Sequence, residues 1–174
     1  MDKQYITEAG KVLIEQRIAQ LHTEISEIQA EKAIAYTASG DTWHDNPGFN
    51  ALEQAEHRKV EEVFKLKATI QNAVMVNTAI RNTSTVGVGS IVECIRMEGS
   101  GKDLVETEEC WEIGGLGESD PKAKIISYET PIAAALMGHK MGEETEAIQL
   151  QGKRVTFEII KLHPSWDAVS SEGE

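Results

Sequence analysis

The first third of the chain repeats apolar residues at alternating steps of three and four positions. This spacing keeps one side chain per turn on the same helical face and is typical of a coiled-coil seam. Thr7 is a suitable N-cap, and no proline interrupts the series before Pro47. The pattern therefore predicts a helix from about Thr7 to about Thr37. The seam positions are Ile14, Ile18, Leu21, Ile25, Ile28, Lys32 and Ala35.

A second series begins after Pro47, a residue that is tolerated in the first turn of a helix but not in its interior. This series predicts a second helix that ends near Val76 and Asn77. Its seam positions are Phe49, Leu52, Glu56, Val60, Val63, Lys67, Ile70 and Val74.

The two predicted seams can be paired as an antiparallel hairpin in a single register. In that register the residue numbers of facing pairs have a constant sum, as they do for Ile25 and Val63. Lys32 then faces Glu56, a residue of opposite charge. The midpoint of the register is His44, so the tip is predicted there. Arms of about 30 residues correspond to a rod about 45 Å long, at about 1.5 Å per residue.

After the hairpin, residues 77–86 are polar and lack a helical period, which predicts a linker. The rest alternates with the two-residue period of strands, and residues 130–138 have the cap, proline and glycine of a short helix. We expect an α+β protein with a long antiparallel two-helix coiled coil (1–77), a small antiparallel sheet with one short helix (78–164) and a flexible tail (165–174). The predicted strands cover residues 86–95, 103–113, 124–127, 146–150 and 155–162.

The 174-residue chain contains 17 Lys and Arg against 29 Asp and Glu, a formal charge of -12. Such a surface repels free nucleic acid and anionic membranes, and it leaves room for a basic protein partner. No window approaches the roughly 18 apolar residues of a membrane span, so we expect a soluble, cytoplasmic protein. Cys94 and Cys110 are too few for a disulfide framework and lack metal-ligand spacing, which favours two buried or half-buried thiols.

The predicted tip contains two carboxylates, Asp41 and Asp45, with no lysine or arginine nearby. In one interpretation they are turn residues, because Asp and Asn side chains bond their own backbone, and Asp45 or Asn46 could cap the second helix. In the other they contribute to a Mg²⁺ site, since Mg²⁺ is often held by one or two carboxylates together with waters and phosphates. Two carboxylates on a turn cannot complete such a site, so this interpretation requires a partner that supplies the other ligands.

Trp43 and His44 stand between these carboxylates. An exposed tryptophan at a tip indicates a contact surface, and the alternative is that its ring folds back on the end of the hairpin. His44 could move a proton near neutral pH, although a single loop histidine is more often a bystander. The other histidines form no ligand pattern. Residues 114–117 (GGLG) lack the continuation of a phosphate-binding loop, which favours a turn.

Three segments resemble the bacterial GreA/GreB transcript-cleavage factors. Residues 7–13 (TEAGKVL) are similar to the opening Thr-x-x-Gly-x-x-x-Leu of the family, with Leu13 or Ile14 in the last position. At the predicted tip, residues 40–41 (GD) followed by residues 45–46 (DN) are similar to Gly-Asp-Leu-Ser-Glu-Asn-x-x-Tyr. The most specific match is residues 130–140 (TPIAAALMGHK), which are close to Ser-Pro-Ile-Ala-x-Ala-Leu-Ile-Gly-Lys.

The resemblance implies an N-terminal antiparallel coiled coil and a C-terminal FKBP-like domain without isomerase activity. It implies a transcription elongation factor that binds RNA polymerase, inserts its tip into the secondary channel and stimulates cleavage of backtracked RNA. Asp41 and Asp45 would help to hold a Mg²⁺ ion shared with the polymerase active site. The chain would not be an enzyme itself and would reach RNA only through the polymerase complex. The residues expected to contact the polymerase are Trp43, His44, Pro131 and Ile132.

Differences from the family pattern at the tip leave an alternative open. Three residues rather than two separate the carboxylates, the second carboxylate is Asp45 rather than Glu, and Phe49 replaces Tyr. A misplacement of about 1 Å at a catalytic group can lower a rate about a hundredfold. The alternative is a channel-binding regulator or inhibitor of RNA polymerase without cleavage activity. A prolyl isomerase with a chaperone arm is disfavoured, because few aromatic residues follow the hairpin to line a proline pocket.

Overall fold

The computed structural model describes residues 3–99 and 103–170, except for the side chains of Asp41, Thr42, His44 and Ser170. The chain divides into two compact units. One unit is Lys11–Ala73, and the other combines Met1–Gly10 with Val74–Glu174. The sequence analysis placed the division after residue 77 and grouped the first residues with the hairpin, so the structure differs at both ends of the hairpin.

Two long helices joined by a short turn make up the Lys11–Ala73 unit. Helix α1 spans Glu8–Ser39, a 3₁₀ turn spans Gly40–Asp45, and helix α2 spans Pro47–Asn72. The two predicted coiled-coil helices are thereby confirmed. Within the described residues, no helix contains a stretch that is both long and apolar enough to cross a membrane.

Both helices begin with side-chain caps that the sequence suggests. Asn46 Oδ1 accepts hydrogen bonds from the N–H groups of Gly48 at 2.8 Å and Phe49 at 3.3 Å, which caps α2. At the start of α1, the N–H of Gly10 donates to Thr7 Oγ1 at 3.1 Å. These bonds satisfy backbone donors that a helix leaves unpaired at its N-terminus.

The core of the hairpin is small and mostly matches the predicted seam. Lys67 is an exception, since it is exposed, although it was predicted on the seam. Leu66 lies in the cluster instead, because burial stabilises an apolar side chain and penalises an ammonium group. The cluster consists of buried Leu21, Ile25 and Val63 with half-buried Ile18, Val60 and Leu66.

Ion pairs connect the two helices alongside this core. Lys32 Nζ lies 2.6 Å from Glu56 Oε2, which confirms the predicted pairing of these residues. Arg17 contacts Glu62 of α2 at 3.0 Å, and within α1 it contacts Glu24 at 3.3 Å. Because water screens partly exposed pairs, these contacts select the register of the helices more than they add stability.

The predicted end of the second helix is wrong by several residues. α2 ends at Asn72, and Val74–Val76 forms strand β2, which pairs in parallel with strand β1 at Tyr5–Thr7. Two β-branched valines suit a pleated strand, and the N–H of Val74 donates to the Gln4 carbonyl at 2.8 Å. This pairing accounts for the grouping of the first residues with the second unit.

A five-stranded sheet forms the frame of the second unit. Its strands are β3 (Ile91–Glu98), β4 (Val105–Gly114), β5 (Ile125–Ser127), β6 (Ile148–Leu150) and β7 (Lys153–His163). The order across the sheet is β5, β4, β3, β7, β6. Neighbours are antiparallel except β4 and β5, so the sheet is mixed rather than purely antiparallel as predicted. The connection of residues 115–124 brings the chain back to the level of Glu112, so β5 runs parallel to the last three residues of β4.

The predicted short helix is present as α3 at Pro131–Leu136. Thr130 Oγ1 accepts a hydrogen bond from the N–H of Ala133 at 3.3 Å, as expected of its cap. Ala133 and Leu136 are fully buried in the same core as Phe157 of β7. The helix therefore contributes one apolar face to the core of the sheet unit.

The two cysteines are free, as predicted. Cys94 on β3 is buried, and burial raises the pKa of its thiol to about 12. Cys110 on β4 is half-buried, and burial is also the main cause that raises its pKa. Neither thiol therefore has the lowered pKa of a reactive cysteine.

The first half of the predicted flexible tail forms a helix, and residues 171–174 lie outside the described residues. Residues Trp166–Ser170 form a short helix, α4. The indole N–H of Trp166 donates to Glu112 Oε2 at 2.8 Å, and the same carboxylate accepts from Arg81 through Oε1 at 2.9 Å. This contact joins α4 to strand β4.

A buried carboxylate joins the start of α1 to the loop after β4. Glu118 is 8% exposed and accepts from the Thr7 N–H at 2.9 Å and from the Thr7 hydroxyl at 2.6 Å. Gly10 and Gly115 leave room for this carboxylate, since an added Cβ would lie 1.9 Å and 2.3 Å from Glu118 Oε1. In the Thr-x-x-Gly segment of residues 7–10, Thr7 thus donates hydrogen bonds to the Glu118 carboxylate and Gly10 leaves space for it.

Gly10→Ala is expected to lower the free energy of unfolding by about 1–3 kcal/mol. The methyl group displaces the Glu118 carboxylate, and hydrogen bonds to charged groups contribute about 1.5–3 kcal/mol each. That loss exceeds the gain of up to about 1 kcal/mol for alanine over glycine in a helix. Urea unfolding measures the change. Gly87→Ala is the control, since a Cβ there meets nothing within 4 Å, and equal stability of the two variants would contradict this account.

Candidate functional site

The turn at Gly40–Asp45 is closed by one asparagine that uses both ends of its amide. Asn46 Oδ1 caps α2, while Asn46 Nδ2 donates to Ser39 Oγ at 2.6 Å across the base of the turn. The backbone N–H of Asn46 also donates to the carbonyl of Trp43 at 3.1 Å. Gly40 has φ +53°, a left-handed conformation that glycine adopts without strain, where the chain leaves α1. The ends of the two helices are therefore tied directly to each other.

Three aromatic rings pack at this end of the hairpin. The ring centroid of Trp43 lies 5.0 Å from that of Phe49 at an interplanar angle of 66°, and 5.6 Å from that of Tyr36 at 48°. Trp43 thus folds back on the hairpin, one of the two orientations that the sequence left open. Phe49 is 8% exposed, so the cluster has one well-buried member.

A polar group lies next to this cluster on the hairpin. Lys32 Nζ lies 5.4 Å from the centre of the Phe49 ring, a distance at which a cation is attracted to the ring face. The same ammonium binds Glu56, whose other oxygen accepts from Gln29 Nε2 at 2.7 Å. The hydrogen bond from Lys32, followed by that from Gln29, lowers the pKa of Glu56 below its ordinary value. Glu56 is thus held in its charged form.

The predicted carboxylates both belong to the turn. Asp45 is exposed. The backbone of Asp41 and His44 lies in the same 3₁₀ segment, but their side chains are outside the described residues, so the distance between the two carboxylates stays a prediction. The other predicted contact residues lie in the sheet unit, where Pro131 is exposed at the first position of α3 and Ile132 packs half-buried against the core.

The carboxylate that the turn exposes is compatible with part of a magnesium site. Carboxylate oxygens are the hard ligands that Mg²⁺ prefers, and Asp45 is accessible to solvent and to a partner. In the part of the chain that the structure describes, no group of three or more His, Cys, Asp or Glu could hold a metal ion. The described residues therefore contain only part of a possible ligand set for Mg²⁺, and the side chain of Asp41 lies outside them.

Sequence reasoning did not identify three residues that shape the turn: Tyr36, Ser39 and Lys32 as a partner of Phe49. Their contacts depend on how the end of α1 meets the start of α2, and a heptad pattern does not report on that. Asn46 was one of two candidate caps, and the Asn-Pro pair at residues 46–47 is the signal that favours it, because Pro is common at the first helical position.

Comparison with known proteins gives consistent matches. Residues 81–164 match the family model for transcription elongation factor, GreA/GreB, C-term. Transcription elongation factor GreA of Azorhizobium caulinodans is 25% identical over 162 residues, which cover 93% of this chain and 98% of that protein. The GreA of Geobacillus kaustophilus is 28% identical over 162 residues, with 92% and 98% covered. The chain is GreA/GreB-like.

Solved structures similar to this GreA/GreB-like chain include two of Gfh1. One, described as the transcription factor Gfh1, is 20% identical, with 93% of this chain and 98% of that chain covered and a TM-score of 0.42. The other, GreA factor homolog 1 of Thermus thermophilus, is also 20% identical, with 93% and 99% covered and a TM-score of 0.41.

The family model matches one part of this GreA/GreB-like chain. Residues 81–164 contain strands β3 to β7 and helix α3, and so include Pro131 and Ile132. The turn at Gly40–Asp45 lies outside that model, whereas the GreA relatives match over more than nine-tenths of the chain.

Protonation of Glu56 is expected to loosen the hairpin at acidic pH. Because the folded pKa is lowered, Glu56 stabilises the fold above its ordinary pKa near 4.5, and this contribution is lost as pH falls through the lowered value. Thermal melts of the helical circular dichroism signal between pH 7 and pH 3 measure the effect. Glu56→Gln should lose less stability than wild type over this range.

Glu31→Gln is the matched control for this prediction, since Glu31 is an exposed carboxylate of α1. It should follow the pH dependence of the wild-type protein, which corrects for the general relief of charge repulsion in an acidic chain. A Glu56→Gln protein with the same pH dependence as Glu31→Gln would contradict the assignment.

Proposed function

We propose that this protein binds RNA polymerase, places the turn at Gly40–Asp45 in the secondary channel and stimulates cleavage of backtracked RNA. The observation that carries the proposal is the construction of the turn, a closed end of a helical hairpin with an exposed carboxylate at Asp45. The GreA proteins that match most of the chain are transcription elongation factors, which supports the assignment.

The contribution of the chain is to hold carboxylate oxygens where the polymerase binds its metal. Asp45 and Asp41 would supply two oxygen ligands to Mg²⁺ and leave the other positions to the polymerase, the RNA and water. When bound, a metal ion of this kind activates water and stabilises charge on the transferring phosphate. An exposed carboxylate such as Asp45 is suited to this role because it is accessible to a partner.

Charge restricts how the protein reaches RNA. A formal charge of -12 repels a free polynucleotide, so contact with backtracked RNA requires the polymerase as the binding partner. Pro131, exposed at the start of α3, and the adjacent Ile132 would take part in docking the sheet unit on the polymerase. In this proposal the protein assists a reaction of the polymerase and is not an enzyme by itself.

Stalled, backtracked elongation complexes of purified RNA polymerase provide the test. Wild-type protein should accelerate the release of short 3′ RNA fragments. Asp41→Asn and Asp45→Asn should each slow this release on the order of tenfold or more, since each factor of ten corresponds to only about 1.4 kcal/mol of transition-state stabilisation. Asparagine keeps the size of the side chain and removes its charge.

Glu31→Gln serves as the control, because it removes an exposed charge from α1 outside the turn. Its cleavage rate should equal that of the wild type. If both aspartate variants cleave as fast as wild type, the turn has no part in the reaction. If the wild-type protein releases no fragment but competes with a GreA protein for polymerase, the channel-binding regulator without cleavage activity is the correct function.

A further inference from the structure

Trp43 is the middle one of the three residues that separate Asp41 from Asp45, and its ring packs inward. We propose that Trp43 is a positioning residue, whose ring anchors the turn and thereby sets the direction in which position 45 presents its carboxylate. This inference rests on the proposed function, because that function gives the carboxylates their role.

The ring of Trp43 contacts both helices of the hairpin. Phe49 belongs to the first turn of α2 and Tyr36 to the last turn of α1, and their ring centroids lie 5.0 Å and 5.6 Å from that of Trp43. Aromatic pairs prefer centroid separations of about 4.5–7 Å in tilted or edge-to-face arrangements. The Trp43 side chain is therefore held by ring contacts with both helices.

Because the turn is a 3₁₀ segment, the packing of Trp43 also fixes the orientation of the neighbouring positions. With about three residues per turn, residues two positions apart lie on different sides of a 3₁₀ segment. Trp43 supplies an apolar contact on its own side, where its ring packs on Tyr36 and Phe49. Position 45 therefore lies on another side of the segment. The inward ring thus decides which backbone positions of the turn face outward.

Phe49, one of the rings on which Trp43 packs, is itself held by contacts further along the hairpin. Phe49 is 8% exposed, and its ring lies 5.4 Å from Lys32 Nζ, which in turn binds Glu56 at 2.6 Å. The hydrogen bonds of Asn46 to Ser39 and to the Trp43 carbonyl also hold the turn, but the indole adds its apolar contacts to both helices. We therefore expect Trp43→Ala to loosen the turn and to leave the central core of the hairpin intact.

Hydrogen exchange of backbone amides tests the anchor directly. The amide of Asn46 donates to the Trp43 carbonyl and reports closure of the turn. Trp43→Ala should raise its exchange rate at least tenfold, while amides around Val63 in the buried core stay within about twofold. Trp43→Phe keeps an aromatic ring and should restore slow exchange. Unchanged exchange at Asn46 in Trp43→Ala would overturn the proposal.

A double-mutant cycle in the RNA cleavage assay tests positioning as distinct from general folding. Trp43→Ala should lower the cleavage rate about tenfold when Asp45 is present and less than about twofold in the Asp45→Asn background, because it acts through that carboxylate. The protein concentration for half-maximal cleavage should not change, and Trp43→Phe should recover most of the rate. Equal losses in both backgrounds would overturn the proposal.

Two other results separate this inference from the proposed function. A higher half-maximal concentration for Trp43→Ala, with an unchanged maximal rate, would make Trp43 a polymerase contact and overturn positioning. If wild-type protein stimulates no cleavage, the proposed function fails and positioning is decided by exchange alone. Faster exchange at Asn46 then upholds the anchor, and unchanged exchange overturns it.

Discussion

The constraint on the hairpin is that two helices share only one narrow seam. In the described part of Lys11–Ala73, the buried apolar side chains are Leu21, Ile25, Phe49 and Val63. Three of them form a central cluster, and Phe49 stands near the turn. A seam this small cannot order a distant turn by packing alone, so the end of the hairpin needs contacts of its own. The three rings, the Asn46 amide and the Lys32–Glu56 pair supply those contacts.

The sheet unit is stabilised by different contacts from those of the hairpin. It has an apolar core around Phe157 and Leu136, to which α3 contributes. Glu118 is one of its buried polar groups, and its carboxylate takes two hydrogen bonds from Thr7 where α1 begins. The start of the long helix is therefore fixed by a charged group in a space that two glycines leave open.

Local signals predicted much of this structure, and non-local pairings account for what was missed. The caps at Thr7, Asn46 and Thr130 act within three residues, and the heptad seam repeats within one helix, so both are visible in the sequence. Alternating steps of three and four residues predicted Lys67 on the seam, but the neighbouring apolar residue Leu66 packs in the cluster instead. Strand β2 depends on pairing with β1, almost 70 residues earlier, and the parallel edge strand β5 depends on a crossover. For the site, the sequence indicated the tip and its aspartates, but the ring contacts of Trp43 arise only when both helices meet.

The central claim is that the turn contributes ligands to a metal held mainly by the polymerase. The Mg²⁺ concentration needed for half-maximal RNA cleavage, measured with saturating protein, tests this claim most directly. Loss of the carboxylate charge weakens metal binding, so Asp45→Asn should require several-fold more Mg²⁺ than wild type, whereas Glu31→Gln should not. A Mg²⁺ dependence that is identical for wild type and Asp45→Asn would contradict the account.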